Sequence, residues 1–339
     1  GFRRTLITFT AVRGHTPKFD DYRRSSRHTI CPAGVDRRTM PDTQEGMTAD
    51  TTRGNDPERA IVTAALTGAT TSKAQHPGIP HTPEEIAREA RKAAEAGAAQ
   101  VHIHAKTDDG EPTFDDGVAA EIRERVRERS DVIVNFSTGA FGPSVAERTS
   151  YLRAGQPEVA ALNMGSMNYA KFDAERDEFV FEEVFENSFA DIAAFAETMR
   201  KAGIKPELEC FDAGHVRNAR PLVERGDLEE PLHFSLVMGV LGGIEGTPAA
   251  LLEQVRRLPD DATWQVIGVG QAQWPLVSTA AAMGGNVRVG LEDNFYLPDG
   301  DRASDNADLV TQAVDIVENV GREVATPAQA REILGLDPL

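Results

Sequence analysis

The chain has 339 residues, two cysteines and a formal net charge of −18. That length suits one large α/β domain, or two smaller ones, with a core that needs no disulfides. Cys31 and Cys210 form no Cys-x-x-Cys pair, no apolar run reaches the roughly 18 residues of a membrane helix, and the acid excess argues against nucleic-acid binding. The opening residues lack the apolar centre of a secretory signal, so a reducing, cytoplasmic setting is expected.

Charge is unevenly spread. Residues 1–46 carry nine Lys and Arg against five acids, whereas the remainder carries 27 against 49, with only six lysines. An acidic, lysine-poor surface stays hydrated in concentrated salt, where screening makes self-repulsion cheap, and a halophilic source is expected. Residues 1–58 show no sustained periodicity and read as a disordered extension, with Met47 a candidate true start. Residues 59–339 read as a single catalytic domain.

From Ala60 onward, apolar runs alternate with capped, charged helical stretches. The runs are Ala60–Leu66, Gln100–His104, Val132–Phe136, Val159–Met164, Pro206–Phe211, Leu232–Val240, Trp264–Val269 and Asn286–Leu291. The first helix opens at Thr82-Pro83-Glu84-Glu85, with Pro at N1 and acids in the first turn, and closes at Gly97. Eight strands, each followed by a helix, are the number needed to close a (β/α)8 TIM barrel; an open doubly wound sheet is the alternative.

In a barrel, function sits at the C-terminal ends of the strands. The unusual polar residues gather there: Thr70 after the first strand, His102 and His104 on the second, Ser137 and Thr138 on the third. Asn163 and Ser166 follow the fourth, Glu209 ends the fifth, and Arg288, Glu292 and Asp293 end the eighth. Alternate side chains of a strand share a face, so His102 and His104 are spaced to hold one metal ion, and a carboxylate could complete a zinc site. The eighth strand lies two positions around the ring from the second, so Glu292 or Asp293 is within reach. The competing structural reading is a plain Arg288–Asp293 ion pair. Gly268-x-Gly270 and Gly242-Gly243 are not nucleotide fingerprints. His76 and His81 are expected to be solvated, His233 lies at the wrong end of its strand, and His215 is a candidate substrate contact.

Together these motifs resemble the β-keto acid cleavage enzymes, typified by those acting on 3-keto-5-aminohexanoate. The resemblance spans Ile61 to Leu336. It is carried by Thr63-Ala-Ala-Leu-Thr-Gly68, Val101-His-Ile-His104, Ser137-Thr-Gly139, Leu162-Asn163, Pro206-Glu-Leu-Glu209, Gly290-Leu-Glu-Asp-Asn294 and Ala325-Thr-Pro-Ala-Gln-Ala-Arg331. It implies a zinc-dependent, homo-oligomeric (β/α)8 barrel that reacts a β-keto acid with acetyl-CoA to give acetoacetate and a shortened acyl-CoA. It further implies His102, His104 and Glu292 as zinc ligands, Asp293, Arg288 and Glu209 as the proton-transfer network, and Thr70, Ser137, Thr138 and Ser166 as substrate contacts. Two departures stand out. Thr70 replaces a glutamate that grips an amino group, and Gln271 replaces an arginine in a Gly-x-Gly-Arg pattern. An amidohydrolase-type enzyme is a poorer match, because its His-x-His belongs on the first strand and further histidines on strands five and six are missing. A barrel that binds metal without catalysis is the non-enzyme alternative.

Overall fold

The computed structural model describes residues 49–338. Its centre is a closed, all-parallel barrel of eight strands. In chain order they are β1 (Val62–Ala65), β2 (Gln100–Ile103), β3 (Ile133–Phe136), β4 (Val159–Asn163), β5 (Lys205–Cys210), β6 (His233–Met238), β7 (Thr263–Gly268) and β8 (Asn286–Val289). Each pairs with the next and β8 closes onto β1, with Arg288 opposite Thr63. The TIM barrel read from the sequence is therefore the observed fold.

A helix follows every strand: α1 (Pro83–Glu95), α2 (Asp116–Arg127), α3 (Val145–Gly155), α4 (Phe189–Ala202), α5 (Ala213–Glu224), α6 (Pro248–Val255), α7 (Gln273–Ala282) and α8 (Asn306–Asn319). The expected start of α1 is observed as a capping box, in which Thr82 and Glu85 satisfy each other's backbone amides. Ser144 and Ser188 open α3 and α4 in the same way. Among the described residues no helix is long and apolar enough to cross a membrane.

The strands are less uniformly apolar than their sequence runs imply. Val62, Val101, Ile103, Val134, Phe136, Leu162, Leu208, Phe234, Val266 and Val287 belong to the core shared with the helices. Most of the alternate positions point into the barrel and are polar, among them Thr63, Gln100, Asn135, Glu207, Ser235 and Gln265. Glu207 on β5 accepts hydrogen bonds from Ser235 (2.6 Å) and Gln265 (3.0 Å), and from Asn135 and Gln100 on the far side. Thr63 donates to Gln265 across 3.0 Å. A buried carboxylate survives only when so satisfied.

Three features depart from the sequence reading. Residues 51–58, expected in the disordered extension, pack beneath the barrel. Asn55 donates to the carbonyls of Trp264 (2.9 Å) and Gly284 (3.1 Å), and its Oδ1 accepts from Trp264 N and from Asn286. The disorder expected of residues 1–46, and the alternative start at Met47, fall outside the described residues. Second, an antiparallel hairpin of Met167–Asp173 and Glu178–Phe185 rises between β4 and α4. Third, His76 and His81 are buried: His76 Nε2 bonds Ala303 O at 2.8 Å and His81 packs against Gly110. A proline-rich loop can enclose an imidazole when it folds back onto the barrel rim.

Candidate active site

The mouth of the barrel holds a cavity of about 490 Å³, lined by residues from the C-terminal ends of most strands. Its charged side is built by β1, β2, β5 and β8. His102 and His104 share one face of the end of β2, as the period of a strand requires, with ring centroids 5.3 Å apart. Thr67 Oγ1 accepts from His104 N at 2.7 Å and ties that strand end to β1. Glu292 arrives from the turn after β8. Gly290, at φ +148°, passes so close to the Ala65 carbonyl that a Cβ there would strike it, and this contact brings the turn inward. As a result Glu292 Oε1 lies 3.6 Å from His102 Nε2 and 3.3 Å from His104 Nε2.

Arg288 organises the carboxylates. Its Nε donates to Asp293 Oδ2 at 2.9 Å, its Nη2 to Asp293 Oδ1 at 3.0 Å and to Glu292 Oε1 at 2.6 Å. Nη1 is 3.6 Å from Glu209. Burial penalises the guanidinium, but the carboxylates around it raise its pKa well above the ordinary value. For Glu292, burial is outweighed by Arg288 and the two histidines, which hold its carboxyl well below the usual range. Burial pushes Asp293 up to about 6 against the pull of Arg288. Burial and then neighbouring Glu207 push Glu209 up to about 8. Burial, followed by the charge of Arg288, drives His102 well below its ordinary value, leaving a neutral imidazole.

The donor set fits a divalent ion. His102, His104 and Glu292 offer ligand atoms all within 4.8 Å of one another. Glu292 Oε2 is buried with no hydrogen-bond partner, an orphan that a cation would satisfy. The carboxylates of Glu292 and Asp293 also face one guanidinium here, so positive charge is in deficit. Two imidazoles and one carboxylate leave open positions for substrate, as catalytic zinc sites do.

The other side is apolar and aromatic. Phe114, Phe141, Tyr169, Phe185, Phe211, Val237, Ile267 and Val269 line it. Tyr169 and Phe185 come from the hairpin and Phe141 from the loop after β3. The Phe141–Tyr169, Phe141–Phe185 and Phe185–Phe211 centroids are 5.7, 5.6 and 6.0 Å apart. Burial and the nearby carboxylates raise the Tyr169 hydroxyl to about 12, so it stays protonated.

Thr70 and Ser137 line this cavity with His104, Glu209, Arg288, Glu292 and Asp293; Thr138 and Ser166 do not. Thr138 Oγ1 is spent on the Ala161 carbonyl at 2.7 Å, and Ser166 Oγ accepts from Asn187 N at 2.7 Å. Ser166 lies beyond the strand end, where the chain leaves for the hairpin. The residue of β4 that faces the cavity is Asn163, 3% exposed, with both amide atoms unpartnered. Its place at the last strand residue was the available signal. His215 is buried away from the cavity, its Nδ1 accepting from Phe211 N at 3.3 Å. His233, at the opposite end, bonds Thr263 at 2.9 Å.

Two further residues carry no motif. Glu111 is a cavity carboxylate outside the Arg288 cluster. Lys106 is buried and donates to the carbonyls of Thr71 (2.9 Å) and Gly110 (3.3 Å), pinning together the loops that bear Thr70 and Glu111. Burial lowers its pKa.

Residues 59–336 match the beta-keto acid cleavage enzyme family. A 3-keto-5-aminohexanoate cleavage enzyme of Acetoanaerobium sticklandii is 38% identical over 82% of this chain and 99% of its own length. A 3,5-dioxohexanoate:acetyl-CoA acetone transferase of Paraburkholderia graminis is also 38% identical, over 82% and 96%. Among solved structures, ObcA in ternary complex with a C4-CoA adduct and oxalate covers 77% of this chain and 68% of its own, with TM-score 0.64 at 23% identity. At that identity the likeness speaks for the fold alone. The extent and identity of these matches establish that the chain belongs to the β-keto acid cleavage enzyme family.

Proposed function

We propose that this protein transfers the acyl group of a β-keto acid to coenzyme A at the expense of acetyl-CoA. In balanced form, R–CO–CH2–COO⁻ and CH3–CO–SCoA give CH3–CO–CH2–COO⁻ and R–CO–SCoA. The observation that carries the reading is the union of family membership with the His102–His104–Glu292 donor set, set directly against the Arg288–Asp293 pair. Both named relatives quoted above are consistent with it, one by keto-acid cleavage and one by acetyl-CoA-dependent transfer.

Zinc bound by His102, His104 and Glu292 would supply a Lewis acid that polarises the keto and carboxylate oxygens of the substrate. The chain's own residues do the rest. Asp293 takes the proton from C2, and Arg288 fixes its orientation by two hydrogen bonds. The C2 carbanion attacks the thioester carbonyl and expels the CoA thiolate. That thiolate then attacks the original keto carbon, the C2–C3 bond breaks, and the acetoacetate enolate recovers its proton. Glu209, with a pKa near 8, is protonated at neutral pH and placed to donate toward developing oxyanion charge. Ser137 and the free Asn163 amide offer hydrogen bonds to substrate oxygens.

Substrate choice rests on R. An aromatic and aliphatic wall with Thr70 at its edge suits a neutral or hydroxylated tail better than an ammonium, whose charge-assisted partner is missing at position 70. Glu111 supports a second reading, in which an amino-substituted tail is held from the loop after β2. Zinc-loaded protein incubated with acetyl-CoA and a panel of β-keto acids, read by acetoacetate formation, tests both. Neutral keto acids are expected to turn over fastest. Faster turnover of the amino substrate would assign that role to Glu111, and no acetoacetate with any substrate would overturn the proposal.

A further inference from the structure

His102 can serve a metal through Nε2 only if Nε2 carries the lone pair, and so only if the proton sits on Nδ1. His102 is 1% exposed, so no solvent is at hand to select that tautomer. Its Nδ1 is buried and without a partner, and so is Oδ1 of Asn135. The two residues are register partners on β2 and β3 and share the inner face of the sheet.

Which way the Asn135 amide points follows from its other neighbour. Its nitrogen lies on Glu207 Oε2, which also accepts from Gln100 at 3.5 Å. The other oxygen of Glu207 is taken by Ser235 and Gln265. Gln100 already donates to Oε2, and Oε1 takes two further donors, so Glu207 acts as an acceptor throughout and the Asn135 amide presents its NH2 to Glu207 and its carbonyl to the histidine.

We infer that Asn135, locked in orientation by Glu207, is a positioning residue that holds the proton of His102 on Nδ1 and thereby presents Nε2 to the metal. This rests on the metal reading of His102, His104 and Glu292 above. It gives the polar interior of the barrel a task in the site one layer above it. Groups behind metal-ligating histidines commonly act in this way, and their loss weakens metal binding about 10- to 100-fold.

Two measurements test it. In ¹⁵N-histidine-labelled, metal-stripped protein, nitrogen chemical shifts are expected to show His102 neutral and protonated on Nδ1; protonation on Nε2 overturns the inference with no substitution made. Zinc dissociation constants, from competition with a chromophoric chelator, are compared in variants whose unfolding temperatures are recorded alongside. Asn135→Leu removes the acceptor and is expected to bind zinc about 10- to 100-fold more weakly. Asn135→Asp combined with Glu207→Gln restores an acceptor for Nδ1 and a donor behind it, and is expected to bind within about threefold of the unmodified protein. Unaltered affinity in Asn135→Leu, or equal weakening in the single and paired variants, overturns the relay. His102→Ala separates this from failure of the metal site itself: if that variant binds zinc as the parent does, the ligand assignment falls and not merely its support.

Discussion

The two sides of the cavity differ in how they are built. The charged side stands on strand ends and on the turn after β8, which the close approach of Gly290 to Ala65 ties to the closed barrel. The aromatic side is carried by the hairpin of Met167–Asp173 and Glu178–Phe185 and by the loop holding Phe141. On the proposed reading, chemistry that depends on ångström placement sits on the barrel itself, and recognition of the variable tail draws mainly on inserted segments, joined by Val237 of β6 and Ile267 of β7. On that reading, a change of substrate needs alteration of one side only.

That division predicts effects that shrink from the charged side to the aromatic one. His102→Ala and His104→Ala should abolish both bound metal and turnover while the barrel still folds. Full metal occupancy by elemental analysis in the doubly substituted protein would break the comparison at its root. Asp293→Asn removes a base without removing a ligand. It should keep zinc and lose on the order of 10²–10⁴ in kcat; near-normal kcat would mean another group moves the proton.

Changes on the recognition side should alter selectivity before rate. Thr70→Glu should move preference toward an amino-substituted keto acid by about 1.5–3 kcal/mol in the ratio of kcat/KM values, the size of one charge-assisted hydrogen bond. Glu111→Gln should leave that ratio unchanged unless Glu111 holds the ammonium. Tyr169→Ala removes an aromatic wall worth about 0.5–1.5 kcal/mol of contact. It should raise KM for apolar tails with little change in kcat; an equal fall in kcat would place Tyr169 in the chemistry. Smallest of all, Ser166→Ala should change kcat/KM less than about twofold, since its hydroxyl serves Asn187 N outside the cavity.

The charged side was legible because its signals are local. His-x-His shows its shared face through the two-residue period of a strand, and Arg288, Glu292 and Asp293 lie within six residues. The barrel was legible in the strand–helix alternation. What escaped depends on contacts between distant segments. Nothing in the composition of residues 167–185 says that Tyr169 and Phe185 will fold back over the mouth. Asn55 looks like part of a polar tail until Trp264 and Asn286 supply its partners. Ser166 and Asn163 lie three residues apart, and only the point where β4 ends decides which one faces the cavity. Glu207 was hidden for a different reason: in an otherwise buried strand a carboxylate has no evident use until donors from β2, β3, β6 and β7 converge on it.

The most direct test of the account follows carbon. Zinc-loaded protein is given an unlabelled neutral β-keto acid and acetyl-CoA carrying ¹³C in both acetyl carbons, and the products are read by NMR. The account predicts acetoacetate labelled at C3 and C4 only, together with unlabelled R–CO–SCoA in equal amount. Labelled acetate with no labelled acetoacetate, or acetoacetate labelled at C1 and C2, would contradict it.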